Sequence, residues 1–251
     1  MERQAEEKKK LVRISVRNLV EFVLRSGDID SRRSGQAQKD AMLEGSRIHR
    51  KIQKRMGSNY RAEVPLKHLV EDEEVTLLVE GRADGIEEEN GAVTIDEIKG
   101  VYMDLERLEE PVPVHLAQAM CYGYFYCCDK GLDGVRLQLT YCNLETEEIR
   151  RFVQAKSAEE LGVWFAGIVH EYMKWARFLY HHELTRDASI RGLEFPYPYR
   201  EGQRDLVVSV YKTISRKKRL FIQAPTGIGK TLSTVFPAVK AIGEGKGEKL
   251  F

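Results

Sequence analysis

The segment EVTLLVEGRADGIEEENGAVTIDEIKG, residues 74–100, contains two apolar runs separated by the turn sequence Glu-Asn-Gly. Asn-Gly between two such runs is a strong local signal for a β-hairpin, because both residues tolerate the positive φ angles of a tight turn. We therefore predict two antiparallel strands that meet at this turn. A third strand is predicted just before them, over residues 62–70.

Charged side chains interrupt the second strand of this hairpin. Alternate strand residues point to opposite faces, so Glu97 and Lys99 share one face, and Asp96, which points to the other, receives no ligand role. Asp84 lies near the end of the preceding strand. Carboxylates from adjacent strands can converge on one hard divalent cation, and a neighbouring ammonium can polarise a water or steady a phosphate. We predict a phosphodiester-cleaving site with Mg²⁺ or Mn²⁺; the alternative is an ordinary surface ion pair.

The rest of the chain alternates between helical and strand-like patterns. A helix is predicted from Ser15 to Gly27, and a second, basic helix over 41–56 follows a loop at 28–38. The later predicted elements are a buried helix at 115–127, strands at 135–143 and 148–156, a long helix at 157–182, and a helix at 201–215. This order of elements predicts an α/β fold.

Composition and charge exclude several classes of protein. The 251 residues are 42% hydrophobic and 31% charged, which is typical of a soluble globular chain. No apolar run has membrane-spanning length and no signal-peptide pattern opens the chain, so we expect a cytoplasmic protein without a membrane partner. The acidic segment 66–112 lies between basic ones, as in a cation site on a polyanion-binding surface; a solvated acidic hairpin is the alternative. The four cysteines fit no zinc spacing and are expected to be reduced thiols.

A second motif, APTGIGKT at residues 224–231, follows the predicted strand RLFIQ and precedes a helical pattern. A glycine-rich loop between a strand and a helix is the arrangement of a phosphate-binding loop. In such a loop Lys230 reaches the β- and γ-phosphates of ATP and Thr231 binds Mg²⁺. The predicted nucleotide-binding residues are Ala224, Pro225, Thr226, Gly227, Ile228, Gly229, Lys230 and Thr231.

Taken in order, the charged motifs of residues 15–182 resemble those of the PD-(D/E)XK nuclease superfamily, in its RecB-like subgroup. The matching positions are His49 in GSRIH, Asp84 in GRADG, Glu97 with Lys99, and Gln118 with Tyr122 as a Gln-x3-Tyr pair. The resemblance implies a restriction-endonuclease-like mixed sheet flanked by helices. It also implies metal ligands and catalytic residues: His49, Asp84 and Glu97 as ligands, with Asp84, Glu97, Lys99, Gln118 and Tyr122 as catalytic residues. Relatives with an iron–sulfur cluster use an early cysteine, and none precedes Cys121, so no cluster is expected within this chain.

The run YPYREGQ, residues 197–203, resembles the adenine-reading Q-motif of superfamily 2 helicases of the DinG/XPD type. The resemblance implies that Gln203 hydrogen-bonds the adenine edge, with Arg200 framing it; a proline- and tyrosine-rich linker is the alternative. A helicase motor also needs a Walker B acid pair, an arginine finger and a second lobe. These cannot fit after Thr231, so the chain is expected to be the first part of a longer protein.

The combined prediction is a RecB-like nuclease domain at 1–186 and the start of a helicase ATP-binding domain at 187–251. The expected partners are ATP and DNA that is single-stranded or has single-stranded ends, with basic helices at 15–56 and 157–177 following the phosphate backbone. One alternative is a nuclease-like domain that only binds DNA or docks a partner. A small ATPase or kinase is a second alternative. Oligomeric state, unwinding polarity and the mode of cleavage stay open.

Overall fold

The structure is a computed structural model that describes residues 9–26, 35–247 and 249–250, with only the backbone described for residues 35–42. The chain divides into two compact units, Met1–Ala176 and Arg177–Phe251. The division falls inside a long helix, and the domain boundary predicted at residue 186 stays a prediction. The two units are called the first and the second unit below.

The first unit is built around a six-stranded mixed sheet. Its strands follow the order β1-β3-β4-β5-β6, and β2 pairs with β3 beside this path. The pairs β1–β3 and β4–β5 are parallel, whereas β2–β3, β3–β4 and β5–β6 are antiparallel. The strands are β1 Lys10–Ser15, β2 Tyr60–Glu71, β3 Val75–Glu89, β4 Ala92–Val101, β5 Gly134–Asn143 and β6 Ile149–Ser157. The predicted α/β class, a mixed sheet flanked by helices, is confirmed.

Four helices accompany this sheet in the described residues of the first unit. They are α1 Val16–Val23, α2 Gly35–Gln53, α3 Pro113–Lys130 and the first part of α4 Ala158–Arg191, together with a short 3-10 helix at Leu105–Arg107. The predicted loop at 28–38 is wrong in its last part, because α2 already begins at Gly35; residues 28–34 and the predicted helix end at Gly27 lie outside the described residues.

The hairpin between β3 and β4 forms at the predicted turn. Asn90 and Gly91 have φ angles of 51° and 80°, and the last ladder pair joins Glu89 to Ala92. Two consecutive left-handed residues match the twist of the flanking strands, which explains the preference for Asn-Gly at this place. The turn fixes the register in which Gly85 lies opposite Asp96.

The two faces of the sheet pack against different helices. Ile95 of β4 belongs to the main core with buried residues of α1, α3 and α4, such as Leu19 and Phe125. Ile98 points to the opposite face and packs with Ile48 of α2 in a smaller cluster. Because neighbouring odd and even positions of β4 face different layers, the side chains of this strand can meet groups from both α2 and α3.

The sheet has an opening beside residues 81–84 of β3, where the strand lacks a partner on one side. On one side this strand pairs with β1 over residues 75–80 and with β4 over residues 85–89. On its other side β2 pairs with it except at Glu63 and Asp84, where Glu63 has a φ of 56°. Asp84 therefore stands at a position where β3 has no ladder partner on either side.

The second unit contains the end of α4, α5 Gln203–Ser215 and α6 Lys230–Gly243. The predicted strand RLFIQ is wrong: residues 219–223 have no regular structure, and Phe221 is 94% exposed. A β-strand needs a neighbour that completes its backbone hydrogen bonds, and no β-strand occurs among the described residues of this unit. Within the described residues of the chain, no helix combines the length and the apolarity that crossing a membrane requires.

Candidate functional site

The side chain of Asp84 makes hydrogen bonds at the position where β3 has no ladder partner. One carboxylate oxygen, Oδ2, accepts the backbone N–H of Ile98 at 2.8 Å, and the other, Oδ1, lies 3.4 Å from Nδ1 of His49. Its backbone carbonyl accepts a hydrogen bond from Nε2 of Gln53 at 2.9 Å. Helix α2, which carries both His49 and Gln53, thus meets β3 at the opening.

The environment of His49 favours its charged form. Burial on its own would lower the pKa of the imidazole, but the hydrogen bond and the negative charge of Asp84 outweigh burial and raise it. The structure therefore brings together His49 and Asp84, two of the three residues that the sequence resemblance implies as metal ligands.

The third implied ligand, Glu97, is buried beside Lys99. The Lys99 ammonium donates to Oε1 of Glu97 at 2.6 Å and to Oε1 of Gln118 at 2.8 Å. Oε2 of Glu97 is buried and hydrogen-bonds no described residue. Burial, together with the nearby negative charge of Asp84, raises the pKa of Glu97 to about 7, against the opposing effect of Lys99. A buried carboxylate oxygen without a partner is costly, so this oxygen is a natural position for a bound cation.

Helix α3 contributes the implied Gln118 and Tyr122, which lie four residues apart on one helix face. Gln118 fixes Lys99, as given above. The phenol of Tyr122 lies against β3, where a Cβ atom added to Gly81 would come within 2.6 Å of the Tyr122 oxygen. Glycine at position 81 therefore leaves the space that the tyrosine ring occupies.

Asp84 and Glu97 supply oxygen ligands suited to a hard divalent cation, but they do not form a complete metal site among the residues that the structure describes. The described residues include no group of three or more His, Cys, Asp and Glu side chains already gathered closely enough to hold a metal ion. Asp84 and Glu97 each commit one carboxylate oxygen to a protein hydrogen bond. The other oxygen of Asp84, Oδ1, lies 3.4 Å from Nδ1 of His49, and Oε2 of Glu97 is unpartnered among the described residues. Oxygen donors of this kind suit Mg²⁺ or Mn²⁺, which retain several waters.

Asp96 lies on the opposite face of β4 from Glu97, where it is enclosed by hydrogen bonds. The Thr140 hydroxyl donates to one carboxylate oxygen at 2.7 Å and the Tyr60 hydroxyl to the other at 3.1 Å. Burial raises the pKa of Asp96, while these hydrogen bonds lower it in part. Since both oxygens are already engaged, Asp96 belongs to the framework that holds β4.

His115 is not among the residues that the sequence motifs predict, yet it lies close to Lys99. It precedes Gln118 by three residues, which is one helical turn, and contacts the buried phenol of Tyr141. Its spacing from Gln118 is the signal that could have identified it from the sequence.

In the second unit, the glycine-rich loop at 224–229 leads into the N-terminus of α6. Gly227 and Gly229 have φ angles of 90° and 81°, and the helix begins at Lys230. The Lys230 ammonium donates to the carbonyls of Ala224 and Pro225 at 3.1 and 3.0 Å. The loop thus has the left-handed glycines and the helix start of a phosphate-binding loop, with its lysine turned onto the loop itself.

Gln203 joins the preceding segment to this loop. Its Nε2 donates to the carbonyl of Ile228 at 2.9 Å, and its Oε1 accepts the backbone N–H of Arg200 at 3.0 Å. The Arg200 guanidinium also donates to the carbonyl of Gly227. Gln203 is 4% exposed, and its amide hydrogen-bonds Ile228 of the loop and Arg200 of the preceding segment. The adenine contact implied by the sequence stays a prediction.

Comparisons with known proteins give a partial similarity. No protein family model matches the chain. A stretch of 47 residues is 45% identical to a probable ATP-dependent helicase, MJ0942, of Methanocaldococcus jannaschii; it covers 18% of this chain and 7% of that protein's length. A solved structure, the crystal structure of SSO0001, has a TM-score of 0.42 and 17% sequence identity, covering 66% of this chain and 75% of that one. The chain is thus a mixed α/β protein, a short part of which is similar to a probable ATP-dependent helicase.

Proposed function

We propose that this chain is part of an ATP-dependent DNA helicase whose first unit is a metal-dependent nuclease and whose second unit binds ATP. The observation that carries the nuclease proposal is the buried Glu97, which is held by Lys99 on one oxygen and left without a described partner on the other. A buried carboxylate in this state beside Asp84 suits a metal-binding site more than a structural ion pair. The partial similarity to a probable ATP-dependent helicase supports the coarser relation to helicases.

In this proposal His49, Asp84 and Glu97 hold Mg²⁺ or Mn²⁺ at the opening of the sheet. A cation bound there would lower the pKa of a water molecule and offset charge on a phosphate. The Lys99 ammonium donates hydrogen bonds through two of its three N–H groups, to Glu97 and Gln118. Its third N–H, which has no acceptor among the described residues, would be available to the attacking water or a phosphate oxygen. Gln118 orients the ammonium, and Tyr122 packs the same helix face onto β3.

In the second unit, the backbone N–H groups of the loop and the start of α6 would receive the phosphates of ATP. Lys230 would exchange the carbonyls of Ala224 and Pro225 for the β- and γ-phosphates, and Thr231 would offer its hydroxyl to Mg²⁺. This proposal requires only a turn of the lysine side chain, because the loop glycines already have left-handed backbone angles.

A second candidate function is a nuclease-like unit that binds DNA or docks a partner without cutting. The observation in its favour is that the described residues contain no complete metal-ligand group. In that case the Glu97–Lys99 pair would hold α3 on the sheet and no more.

Cleavage of end-labelled single-stranded DNA in Mn²⁺ separates the two candidates, together with calorimetric Mn²⁺ titration and a separate DNA-binding measurement. Glu97→Gln should lose Mn²⁺ binding and cleavage. Lys99→Ala should keep Mn²⁺ binding and lose about 10²- to 10³-fold in rate, as expected for one lost electrostatic stabiliser. Glu89→Gln, at the exposed hairpin end, is the matched control and should cleave normally. DNA binding by all these proteins without any cleavage by the wild type would establish the docking function instead.

A further inference from the structure

A third polar side chain of helix α3 lies close to Lys99. His115 precedes Gln118 by three residues and Tyr122 by seven, so the three follow one face of the helix. Gln118 accepts a hydrogen bond from Lys99, which places this face over β4. Tyr141 lies opposite Lys99 in the parallel β4–β5 pair and touches the imidazole of His115. The row therefore extends the proposed active site beyond the Gln-x3-Tyr pair.

Hydrogen bonds fix the tautomer of His115. The phenol oxygen of Tyr141 accepts the backbone N–H of Val112 at 2.9 Å and lies 3.1 Å from Nδ1 of His115. Tyr141 is fully buried, so its own hydroxyl proton needs an acceptor, and Nδ1 is within reach. The imidazole proton then resides on Nε2, an assignment that follows from this network. Nε2 has no hydrogen-bond partner among the described residues.

Two positively charged side chains act electrostatically on this imidazole. Burial and the positive charges of Lys99 and Arg17 lower the pKa of His115 to about 4, so the ring is neutral at physiological pH. The neutral ring has one N–H group, on Nε2. This group can donate a hydrogen bond, and the surrounding charge is positive. Such a donor suits a phosphate oxygen, which accepts charge-assisted hydrogen bonds.

We propose that Nε2–H of His115 binds a non-bridging phosphate oxygen of the nucleic-acid strand beside Lys99, and that Tyr141 positions the ring for this contact. The inference rests on the proposed nuclease function and deepens it by adding a substrate-binding residue to the same site. It assigns His115 to substrate binding and leaves the metal ligands and Lys99 in the roles given above.

Kinetics on the full chain test the contact. With single-stranded DNA and Mn²⁺, His115→Ala should lower kcat/KM about tenfold to a hundredfold, the range for loss of one hydrogen bond to a charged group. Tyr141→Phe should lower it less, because the ring remains but is no longer oriented, and should add nothing in the His115→Ala background. Added imidazole should restore part of the lost activity of His115→Ala, which a purely structural role would not allow. The exposed His182→Ala, outside the two helical segments expected to follow the phosphate backbone, is the matched control and should be unchanged.

A binding measurement on the wild type needs neither cleavage nor a variant. The side-chain ¹H–¹⁵N signals of His115 are followed by NMR while thymidine 3′,5′-bisphosphate is added in the presence of Mg²⁺. We expect an Nε2–H signal before titration and a shift of that signal upon binding. A signal from Nδ1–H, or an Nε2–H signal that does not move, overturns the proposal whatever the kinetics show.

The outcomes distinguish this inference from the function on which it rests. A shifted Nε2–H signal in a protein that cleaves no DNA would leave the phosphate contact standing and remove the nuclease proposal. Normal cleavage by the wild type with an unchanged kcat/KM in His115→Ala would keep the nuclease and overturn the contact.

Discussion

The carboxylate of Asp84 accepts the backbone N–H of Ile98 at 2.8 Å, in place of a main-chain acceptor from the neighbouring strand. The ladder between β3 and β4 ends at Gly85 and Asp96, so Ile98 has no partner on β3 other than this side chain. The same carboxylate lies 3.4 Å from His49. One residue therefore completes the sheet at its opening and orients the histidine that faces it.

This double role predicts different results for two substitutions. Asp84→Asn keeps an oxygen for the N–H of Ile98 and should change the free energy of unfolding little. Asp84→Ala leaves a buried N–H unsatisfied and should cost about 1 to 3 kcal/mol. Both should lower the pKa of His49, because the hydrogen bond and charge of Asp84 raise it. Urea unfolding and an NMR titration of the imidazole measure the two effects. Equal stability of the two variants would contradict the bridging role.

The sequence was informative where local patterns coincide with long-range pairing. Asn90 and Gly91 predict the hairpin because the turn itself requires their backbone angles, and the hairpin in turn places Asp84 and Glu97 on adjacent strands. Helical spacing likewise places Gln118 and Tyr122 on one face of α3. In these cases a few neighbouring residues contain the necessary information.

Other features depend on partners that are distant in sequence. Strand β1 was not predicted, because the short segment 10–15 becomes a strand only through its parallel pairing with β3. Conversely, RLFIQ has the composition of a strand but finds no neighbour among the described residues of its unit. Packing between α3 and the sheet produces the contact of His115 with Tyr141 and surrounds the Glu97 oxygen that has no partner among the described residues. The spacing of residues in the sequence does not contain this information.

The close approach of Tyr122 to Gly81 predicts a local cost of adding one methyl group. In Gly81→Ala the new Cβ would lie 2.6 Å from the phenol oxygen and 2.9 Å from Cε1, so the ring must move. We expect a loss of about 1 to 3 kcal/mol in the free energy of unfolding, as for other overpacked sites. The matched control is Gly45→Ala within α2, where nothing lies within 4 Å of the new methyl group. It should raise stability by about 0.5 to 1 kcal/mol. Thermal or urea unfolding measures both, and a Gly81→Ala protein as stable as the wild type would place Tyr122 elsewhere.

His68 makes the first unit sensitive to mildly acidic pH. Its ring stacks on Phe125 at 5.3 Å and contacts Tyr124 and Phe165, and burial lowers its pKa below the ordinary 6.5. The folded state therefore binds this proton less readily than the unfolded chain does. The resulting contribution to stability is complete above about pH 6.5 and is lost as the pH falls.

His68→Phe keeps an aromatic ring at this position and removes the titration. Between about pH 8 and pH 5, the wild type should lose more free energy of unfolding than this variant does. Urea unfolding at the two pH values measures the difference, and His170→Phe, at an exposed position, should follow the wild type. Parallel losses in wild type and His68→Phe would show that His68 does not titrate on unfolding.

The last prediction separates two roles of Gln203. In this state its amide joins Arg200 to the carbonyl of Ile228, and a Cβ on Gly229 would come within 2.6 Å of its Nε2. If the residue only holds the loop, Gln203→Ala should weaken ATP and GTP binding by the same factor, since both nucleotides offer the same phosphates. If it also contacts adenine, the variant should lose mainly its preference for ATP over GTP. Lys230→Ala is the matched comparison: it would remove the proposed phosphate contact, so both affinities should fall while their ratio is kept. Titration of fluorescent ATP and GTP analogues into the three proteins measures the ratio. We expect the preference for ATP to disappear in Gln203→Ala alone, and a preference retained there would assign Gln203 to the loop only.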